Sequence, residues 1–486
     1  MRRLNLSSQS MVAAALLLIA LAIRCVDFGN PVIHVDEQYY LLVGDRLLHG
    51  ALPYVDIWDR KPIGLFAIFA AIRLLPGDGI LAYQLVATLF AAATAWLVQN
   101  GARRLGATHL AALVAGAAYI IWLPLLSGRG GQSPVFYNLF VAAAAVLTLR
   151  LPTLTSRGAI IRNGAAACLL AGLAIQTKYT PAIEGAFFGL AHLWYLRRAG
   201  ASWPMMVGVA LLWVALGVGP TALVIALYWT HGPAVFQAFW FANFESIFQR
   251  SHYAYPPDLI ARRLLGTNAL LLPLTICAAL AWRRRDELRT LAFGWLGAAI
   301  VGYLILGTFF DHYALPLIAP LALLASLTLS RHGRAIVATL AIGLILLVVR
   351  TAIRNGDAAG AYRLAHIVEA NSGGECPYVF TGDSITYLLA HACVPTAYAF
   401  PSTLAYAPEQ GATGIDEAGE VRRILSHRPP VIVRGSEPLA EWNEASRALV
   451  DAALARDYRP VFSTARDDYR LVVYLRRDRP FRSPGS

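Results

Sequence analysis

Eleven apolar segments recur along the first 350 residues, separated by short polar stretches. An α-helix needs roughly 20 residues to cross the hydrocarbon core of a membrane, and most of the segments approach that length. They span residues 11–26, 80–98, 111–126, 135–149, 165–175, 182–196, 205–229, 265–282, 291–310, 313–329 and 335–349. The pattern therefore predicts an all-α polytopic membrane bundle of about eleven transmembrane helices within residues 1–350.

Residues 351–486 show a different pattern, in which strand-like and helical stretches alternate. Strands are predicted at 378–382 and 431–434, helices at 385–391, 420–426 and 444–454, and a terminal hairpin joins 461–463 to 471–475. Such alternation is typical of a small parallel or mixed sheet. We therefore expect two domains, a transmembrane catalytic domain at 1–350 and an α/β domain at 351–486.

Composition supports a membrane protein. The chain is 57% hydrophobic and 14% charged, whereas a soluble domain averages about 45–50% and about 25%. These values exclude a water-soluble globule and a disordered chain.

The net charge of +12 does not indicate nucleic-acid binding, because the excess lies in alternate loops of the bundle. Cytoplasmic loops of membrane proteins are enriched in Lys and Arg. The basic loops contain Arg2, Arg3, Arg103, Arg104, Arg150, Arg157, Arg162, Arg197, Arg198, Arg283, Arg284, Arg285, Arg289, Arg331 and Arg334. If these loops face the cytoplasm, eleven spans place the C-terminal domain outside it. We therefore expect a multi-pass protein of the inner (cytoplasmic) membrane.

Five cysteines are distributed between the two parts of the chain. Cys376 and Cys393 lie in the C-terminal part, on the side where disulfides persist. They form either a disulfide or two buried free thiols. Cys25, Cys168 and Cys277 lie in apolar segments and are expected in the core.

The outer loop at 31–79 is too long for a simple connection. We expect a short interfacial helix at 37–48, with Asp36 as its N-cap and Gly50 just past its end, and a second one at 63–75. Asp36 and Glu37 would stand at the outer membrane boundary. One carboxylate can act as a general base while the other contacts a neighbouring group. The alternative is that Asp36 only caps the helix and Glu37 is solvated.

Lysine is rare in this chain, with only Lys61 and Lys178 against 39 arginines. A lysine that persists where arginine is otherwise used suggests a site that needs a compact ammonium group. Lys61 follows Asp59 and Arg60, and this cationic segment suits a phosphate at the headgroup level. A structural alternative is that Asp59 and Arg60 pair with each other.

Four short motifs resemble the GT-C membrane glycosyltransferases, and more narrowly the branch of protein O-mannosyltransferases and the lipid A aminoarabinose transferase. In chain order they are Asp36-Glu37, Pro53-Tyr54-x-Asp56, Lys61-Pro62-x-Gly64 and His312-Tyr313-x-x-Pro316. The resemblance implies a donor sugar carried on a polyprenyl phosphate and an acceptor that is a lipid, a glycan or a protein of the envelope.

The resemblance also implies roles for individual residues. Asp36 would be the base, Glu37 its helper or an acceptor contact, and Lys61 the group that neutralises the departing phosphate, with inversion at the sugar. Arg60 stands where relatives often have an acidic residue, and Ile63 stands where many have a second proline. A metal site that uses an acidic residue at the position of Arg60 is therefore not expected here.

Further candidates surround this core set. Arg60 and Lys178 are candidates for binding the donor phosphate, although Lys178 could instead anchor the chain at the membrane interface. The cavity candidates are Tyr40, Tyr54, Asp56, Asp59, Tyr179, His312 and Tyr313. His34 and Asp36 supply two potential ligands, which do not make a metal site. No cofactor is predicted, and the use of a divalent metal is left open.

Two other segments have competing interpretations. The aromatic stretch at 231–258, with Glu245, Arg250 and His252, is either an interfacial belt or an acceptor-side loop. The glycine-rich segment at 128–131 is either a structural loop or a phosphate cradle.

Two other functions remain open at this stage. A transporter or flippase of lipid-linked sugars would show repeats and polar groups near the midplane, whereas the charges here are concentrated at one boundary. In a membrane-anchored binding module the C-terminal domain would carry the function, but that domain is nearly neutral. The identities of the sugar and the acceptor do not follow from the sequence.

Overall fold

A computed structural model describes residues 6–250, 253–282, 286–352, 357–466 and 469–484. Arg2, Arg3, His252 and the segment 283–285, which entered the sequence analysis, lie outside the described residues. The chain forms two compact units. The first unit comprises residues 1–28, 84–224 and 255–353, and the second comprises residues 29–83, 225–254 and 354–486.

The described residues form twenty α-helices and four β-strands. The helices are α1 (Leu6–Arg24), α2 (Val35–Leu48), α3 (Ile63–Arg73), α4 (Ile80–Arg104), α5 (His109–Leu125), α6 (Ser133–Thr148), α7 (Arg157–Ile175), α8 (Pro181–Arg198), α9 (Trp203–Thr230), α10 (Pro233–Trp240), α11 (Ser246–Arg250), α12 (Pro257–Ala281), α13 (Glu287–Leu304), α14 (Leu315–Leu329), α15 (Gly333–Ala352), α16 (Ala358–Ser372), α17 (Ile385–Leu389), α18 (Pro401–Ala405), α19 (Glu417–Ser426) and α20 (Glu444–Asp457). The strands are β1 (Tyr378–Val379), β2 (Val431–Gly435), β3 (Tyr458–Arg466) and β4 (Tyr469–Arg476).

Each of the eleven predicted membrane segments coincides with a helix, namely α1, α4 to α9 and α12 to α15. Among the described residues, eight helical segments are long and apolar enough to span a membrane. They are α1, α4, α7, α9, α12 and α15, together with α6 and α14 when each is counted with its adjoining 3-10 turn (Ser133–Thr153 and Asp311–Leu329). The other three, α5, α8 and α13, have 17 or 18 residues. The predicted fold class, a polytopic helical membrane protein with a C-terminal sheet domain, is confirmed.

Polar residues at the loop ends start several of these helices. The side chains of Thr108, Ser156 and Asp286 accept hydrogen bonds from Ala111 N, Ala159 N and Arg289 N at the starts of α5, α7 and α13. Such caps satisfy backbone donors that have no partner within the helix. The helix starts are thus encoded locally.

In the first unit, the glycine-rich segment is a structural loop. The buried guanidinium of Arg24 donates to Gly128 O at 2.8 Å and to Gly130 O at 2.7 Å, and Arg129 pairs with Asp27. A phosphate cradle requires backbone N–H groups that converge on an anion. Here two of the loop carbonyls instead bind a cation of the protein, which favours the structural interpretation.

In the second unit, the four strands form one sheet in the order β1-β2-β4-β3. β1 and β2 are parallel, whereas β4 is antiparallel to both β2 and β3, so the predicted mixed sheet and terminal hairpin are confirmed. Ile432 on β2 packs with Val450 of α20 and Tyr458 of β3 in the core. The division of the chain at residue 350 into two domains stays a prediction.

The cysteines follow the prediction with one exception. Cys376 and Cys393 form a disulfide, and Cys168 and Cys277 are buried. Cys25, which was expected in the core, is exposed instead. It follows Arg24 at the end of α1, and because successive helical residues differ by about 100° in direction, burial of Arg24 turns its neighbour outwards.

Candidate active site

The start of α2 differs from the prediction in a way that matters for Asp36. His34, and not Asp36, is the N-cap, and its Nδ1 accepts a hydrogen bond from Asp36 N at 3.3 Å. Asp36 therefore lies inside the first helical turn, with 18% of its side chain exposed. Glu37 is fully buried. The alternative interpretation, in which Asp36 caps the helix and Glu37 is solvated, is wrong.

Two tyrosine hydroxyls hold the segment that carries Lys61. Tyr39 of α2 donates to Trp58 O at 2.8 Å, and Tyr54 donates to Lys61 O at 2.8 Å. Tyr54 has a positive φ of 71°, which is uncommon for a residue other than glycine. This turn is closed by a hydrogen bond from Tyr54 N to Ile57 O at 2.7 Å. The backbone around Lys61 is thus tied both to α2 and to its own loop.

The predicted cavity residue Asp56 lies in the same loop. Its side chain is exposed, and its Oδ2 accepts a hydrogen bond from Leu52 N at 2.7 Å. This contact closes the turn that contains Tyr54. Asp56 therefore has a structural role in the described loop, and its role in a cavity stays a prediction.

The Asp59 carboxyl is influenced electrostatically by both Lys61 and Asp36. Burial raises the pKa of the Asp59 carboxyl; the ammonium of Lys61 opposes this shift and the carboxylate of Asp36 adds to it. The Lys61 ammonium also lies 5.7 Å from the ring centroid of Tyr40, within range of a cation–π interaction. The structure thus brings a base candidate, a second acid and the predicted phosphate-binding cation into one neighbourhood.

Arg60 points into a different environment from Lys61. Its Nη1 lies 2.6 Å from Glu409 Oε2, its Nε donates to Ser246 Oγ at 2.5 Å, and its Nη2 donates to Ala412 O at 3.1 Å. All three guanidinium nitrogens therefore bind protein groups. These contacts join the outer loop to the C-terminal residues of the second unit and do not favour phosphate binding by Arg60.

The alternative that Asp59 and Arg60 pair through their side chains is also not what the structure shows. The contact between them is a hydrogen bond from Arg60 N to Asp59 Oδ1 at 2.5 Å, whereas the Arg60 side chain pairs with Glu409. Two adjacent basic residues, Arg60 and Lys61, thus have separate surroundings.

The remaining candidates belong to the first unit. Lys178 lies between α7 and α8, with its ammonium 4.1 Å from the ring centroid of Tyr313. The rings of His312 and Tyr313 have centroids 4.6 Å apart, and burial raises the pKa of Tyr179. Lys178, His312 and Tyr313 therefore form a cation–aromatic cluster of their own.

The aromatic stretch at 231–258 contributes to the second unit through α10, a π-helical turn at Phe241–Glu245, and α11. Tyr228 and Phe239 stack at 4.5 Å between centroids, and both rings contact Tyr54. Phe248 is 71% exposed. Part of the stretch thus supports the Tyr54 turn, and whether the exposed part forms an interfacial belt or an acceptor loop stays open.

No group of three or more His, Cys, Asp or Glu side chains is arranged to hold a metal ion within the ranges that the structure describes. His34 Nδ1 and Asp36 Oδ2 are 3.7 Å apart. The two sequence-predicted ligands are therefore neighbours, without a third ligand of these types among the described residues.

Sequence reasoning missed a buried charged group in the second unit. Arg466 forms ion pairs with Asp383 and Asp357, and all three side chains are more than nine-tenths buried. Asp383 follows the carboxyl end of β1, a position where α/β proteins often place functional side chains. The position of Asp383 after a predicted strand was the signal that the sequence offered. An isolated Asp near a short strand is common, so this signal could not identify Arg466 as its partner.

Comparison with solved structures identifies the architecture. ArnT from Cupriavidus metallidurans, solved in the apo state and bound to undecaprenyl phosphate, matches 95% of this chain and 97% of its own at 16% identity, with a TM-score of 0.64. The chain has the GT-C fold.

A more distant match supports the same assignment. The oligosaccharyltransferase from Archaeoglobus fulgidus covers 88% of this chain and 70% of its own, at 12% identity and a TM-score of 0.51. No protein-family model matches the chain, and no curated protein sequence matches it. The resemblance inferred from four short motifs is thus confirmed at the level of the fold.

Proposed function

We propose that this GT-C protein is an integral-membrane glycosyltransferase. It transfers a sugar from a polyprenyl-phosphate-linked donor to a hydroxyl of an envelope lipid, glycan or protein. The observation that carries the proposal is the placement of the Lys61 ammonium near the ring of Tyr40 in α2, the helix whose first turn contains Asp36, with Asp59 influenced by both charged groups. The solved ArnT complex with undecaprenyl phosphate supports a lipid-phosphate carrier, since a protein of the same fold binds one.

In the proposed reaction, Asp36 accepts the proton of the acceptor hydroxyl as its oxygen attacks the anomeric carbon. The bond between that carbon and the phosphate oxygen breaks, and the electron pair remains on the phosphate. The products are the glycosylated acceptor and the free polyprenyl phosphate. Attack opposite to the leaving phosphate inverts the anomeric configuration.

Lys61 stabilises the leaving group in this mechanism. Negative charge accumulates on the phosphate as the bond breaks, and a preorganised cation at that position lowers the barrier. The Tyr54 hydroxyl bond to Lys61 O and the Tyr40 ring near the ammonium hold this lysine in place. Arg60 has no role in our mechanism, because Glu409, Ser246 and Ala412 occupy its guanidinium.

Glu37 has a supporting role in the proposal. Its side chain is fully buried next to Asp36 in the first turn of α2. We propose that Glu37 either assists Asp36 or contacts the acceptor. Lys178, held over Tyr313, is proposed as a second contact to the donor phosphate.

We also propose that the protein lies in the inner membrane with its C-terminal residues outside the cytoplasm. The disulfide between Cys376 and Cys393 supports this orientation, because disulfides persist in oxidising compartments. In a Cys25→Ser background, which removes the exposed thiol, an engineered Ser426→Cys should react with a membrane-impermeant maleimide in intact cells. Labelling only after cell lysis would contradict the orientation.

The decisive experiment for the function is a transfer assay with purified protein and synthetic polyprenyl-phosphate sugars. Mass spectrometry of envelope lipids, glycans and glycoproteins, with and without the protein, would first identify the acceptor class. Asp36→Asn should then lower kcat by about 10²–10⁴-fold, the range typical of a lost general base. Asp78→Asn, an exposed acid in the same loop whose oxygen caps Ile80 N at 2.9 Å, is the matched control and should stay active.

Two outcomes would overturn the proposal. Full activity of Asp36→Asn would remove the base assignment. Movement of the lipid-linked sugar across vesicle membranes without formation of a new glycosidic bond would support the flippase alternative.

A further inference from the structure

A buried ionic group lies in the second unit at the end of β3. Arg466 is 2% exposed, and it binds Asp383 Oδ2 through Nε at 2.8 Å and through Nη2 at 2.7 Å. Its Nη1 donates to Asp357 O at 3.1 Å and lies 3.7 Å from Asp357 Oδ2. One buried guanidinium therefore joins two buried carboxylates of the C-terminal residues.

Each of these carboxylates also binds an amide side chain of the segment 30–38. Gln38 Nε2 donates to Asp383 Oδ1 at 3.2 Å, and Asn30 Nδ2 donates to Asp357 Oδ1 at 3.2 Å. Asn30 and Gln38 lie on either side of Asp36 along the chain. The short segment that carries the proposed base is therefore attached at both ends to the same ionic group.

The chemistry of these contacts determines whether the NH₂ group or the oxygen of each amide side chain faces the carboxylate. An ionised carboxylate only accepts hydrogen bonds, so Gln38 and Asn30 must present their NH₂ groups to Asp383 and Asp357. Asn30 Oδ1 then accepts a hydrogen bond from Val32 N at 2.9 Å, which shapes the approach to α2. Such a network specifies a single geometry, whereas apolar contacts in the same place would tolerate sliding.

We propose that Asp357, Asp383, Arg466, Asn30 and Gln38 form a positioning clamp for the first turn of α2. The inference rests on the proposed function, because it concerns the placement of the Asp36 carboxylate. These five are positioning residues. The C-terminal residues thereby contribute to catalysis through the segment 30–38.

Loss of the clamp should act on the chemical step more than on donor binding. A displacement of about 1 Å in a reacting group costs about 10²-fold in rate. Lys61 is held by separate contacts from Tyr54 and Tyr40. A variant that releases Gln38 should therefore lower kcat and leave the donor KM nearly unchanged.

The test is a charge exchange with rescue. Gln38→Glu places a carboxylate against Asp383 and should lower kcat by about 10- to 100-fold, within the cost of misplacement. In the double variant Gln38→Glu/Asp383→Asn, the NH₂ of the introduced amide donates in the opposite direction, and its oxygen still accepts from Arg466. The net charge of the pair is unchanged, and we expect kcat to recover at least tenfold.

Recovery of kcat in the double variant distinguishes a positioning role of Gln38 from a general loss of folded structure. Glu444→Gln, which removes an exposed ion pair with Arg447 in the same unit, is the control and should keep kcat and KM. Gln38→Glu with unchanged kcat, or a double variant no more active than the single, would overturn the proposal. If Gln38→Glu does not accumulate, Asn30→Ala takes its place. A lower kcat at unchanged donor KM would support the clamp, and unchanged kcat would contradict it.

Wild type and Asp36→Asn in the same assay separate the two proposals. Without transfer by the wild type, the proposed function fails. With transfer by the wild type and loss in Asp36→Asn, a fully active Gln38→Glu would refute the clamp alone.

Discussion

The second unit contains two charge clusters of similar composition, each with two acids and one cation. Arg466 with Asp357 and Asp383 is more than nine-tenths buried, and every acid binds named protein groups. Lys61 with Asp36 and Asp59 is only partly buried. The Arg466 cluster joins residues that are distant along the chain, whereas we place the proposed reaction at the Lys61 cluster.

The difference follows from the two cations. Arginine offers a planar fork that binds a carboxylate through two nitrogens, as Arg466 does with Asp383. Lysine is a compact point charge, and Lys61 lies near the face of Tyr40. Burial raises the pKa of an acid in both clusters, Asp383 and Asp59, and the neighbouring cation opposes the shift in each. In both clusters, therefore, burial raises the pKa of an acid and a cation opposes this shift. The clusters differ in their geometry and in their exposure to solvent.

The largest effect on stability should come from Arg466. Arg466→Met leaves two buried carboxylates without their cation, and breaking a buried pair costs about 3–5 kcal/mol. Lys61→Met should cost less than about 1 kcal/mol, the usual scale for a partly exposed ion pair. Thermal unfolding in detergent, followed by tryptophan fluorescence, measures both. Equal destabilisation of the two variants would break the distinction between the clusters.

Lys61 should matter much more for activity than for stability. In a folded Lys61→Met variant, kcat/KM for the donor should fall by about 10²-fold, because the leaving phosphate loses a preorganised cation. Lys178→Met, in the first unit, should have a smaller effect of about tenfold, as expected for a secondary contact. Titration with polyprenyl-phosphate sugar checks both values. A Lys61→Met variant with wild-type kinetics would exclude the phosphate role.

Exchange of the cation types sharpens the comparison further. Arg466→Lys keeps the charge but loses the fork, and the loss of about one or two charged hydrogen bonds should cost about 1.5–3 kcal/mol. Lys61→Arg should leave stability within about 0.5 kcal/mol, as for most partly exposed substitutions, while lowering kcat. Measurement of the melting temperature and of kcat for Arg466→Lys and Lys61→Arg tests both statements. A fully active Lys61→Arg would show that positive charge alone suffices.

The smallest effect concerns Asp59 and depends on pH. Because its pKa is raised in the folded protein, folding favours the protonated form, so its stabilising contribution is lost as pH rises from the unfolded pKa through the folded one. Asp59→Asn keeps an acceptor for Arg60 N and should be more stable than wild type at neutral pH. Melting temperatures at pH 4 and pH 7.5 measure this difference. If the stability advantage of Asp59→Asn over wild type instead increased as the pH is lowered, the predicted direction of the pH dependence would be wrong.

Much of the architecture was predictable because its signals are local. Apolar runs of helical length identified eleven helices, eight of which are long and apolar enough to span a membrane, and strand-like stretches identified the sheet. The first turn of α2 was less predictable, since an acidic residue and a histidine can both act as an N-cap. Here His34 supplies the acceptor, which makes Asp36 the second residue of the helix.

The partners of charged side chains were not predictable in the same way. Arg60 and Lys61 are adjacent and equally basic, yet Arg60 binds Glu409, which lies 349 residues away along the chain. Gln38 and Asp383 are separated by 345 residues. Pairing at such distances depends on which surfaces pack together, and a local pattern contains no information about that packing.

The sequence by itself determined the membrane bundle, the mixed sheet and the loop that carries the candidate chemistry, because hydrophobic periodicity and turn residues act over a few neighbours. Only the tertiary structure decided that Arg60 is an anchor, that Glu37 is buried and that the C-terminal acids bind both ends of the segment 30–38. Burial and charge pairing are properties of the packed chain, since they depend on residues brought together from distant positions.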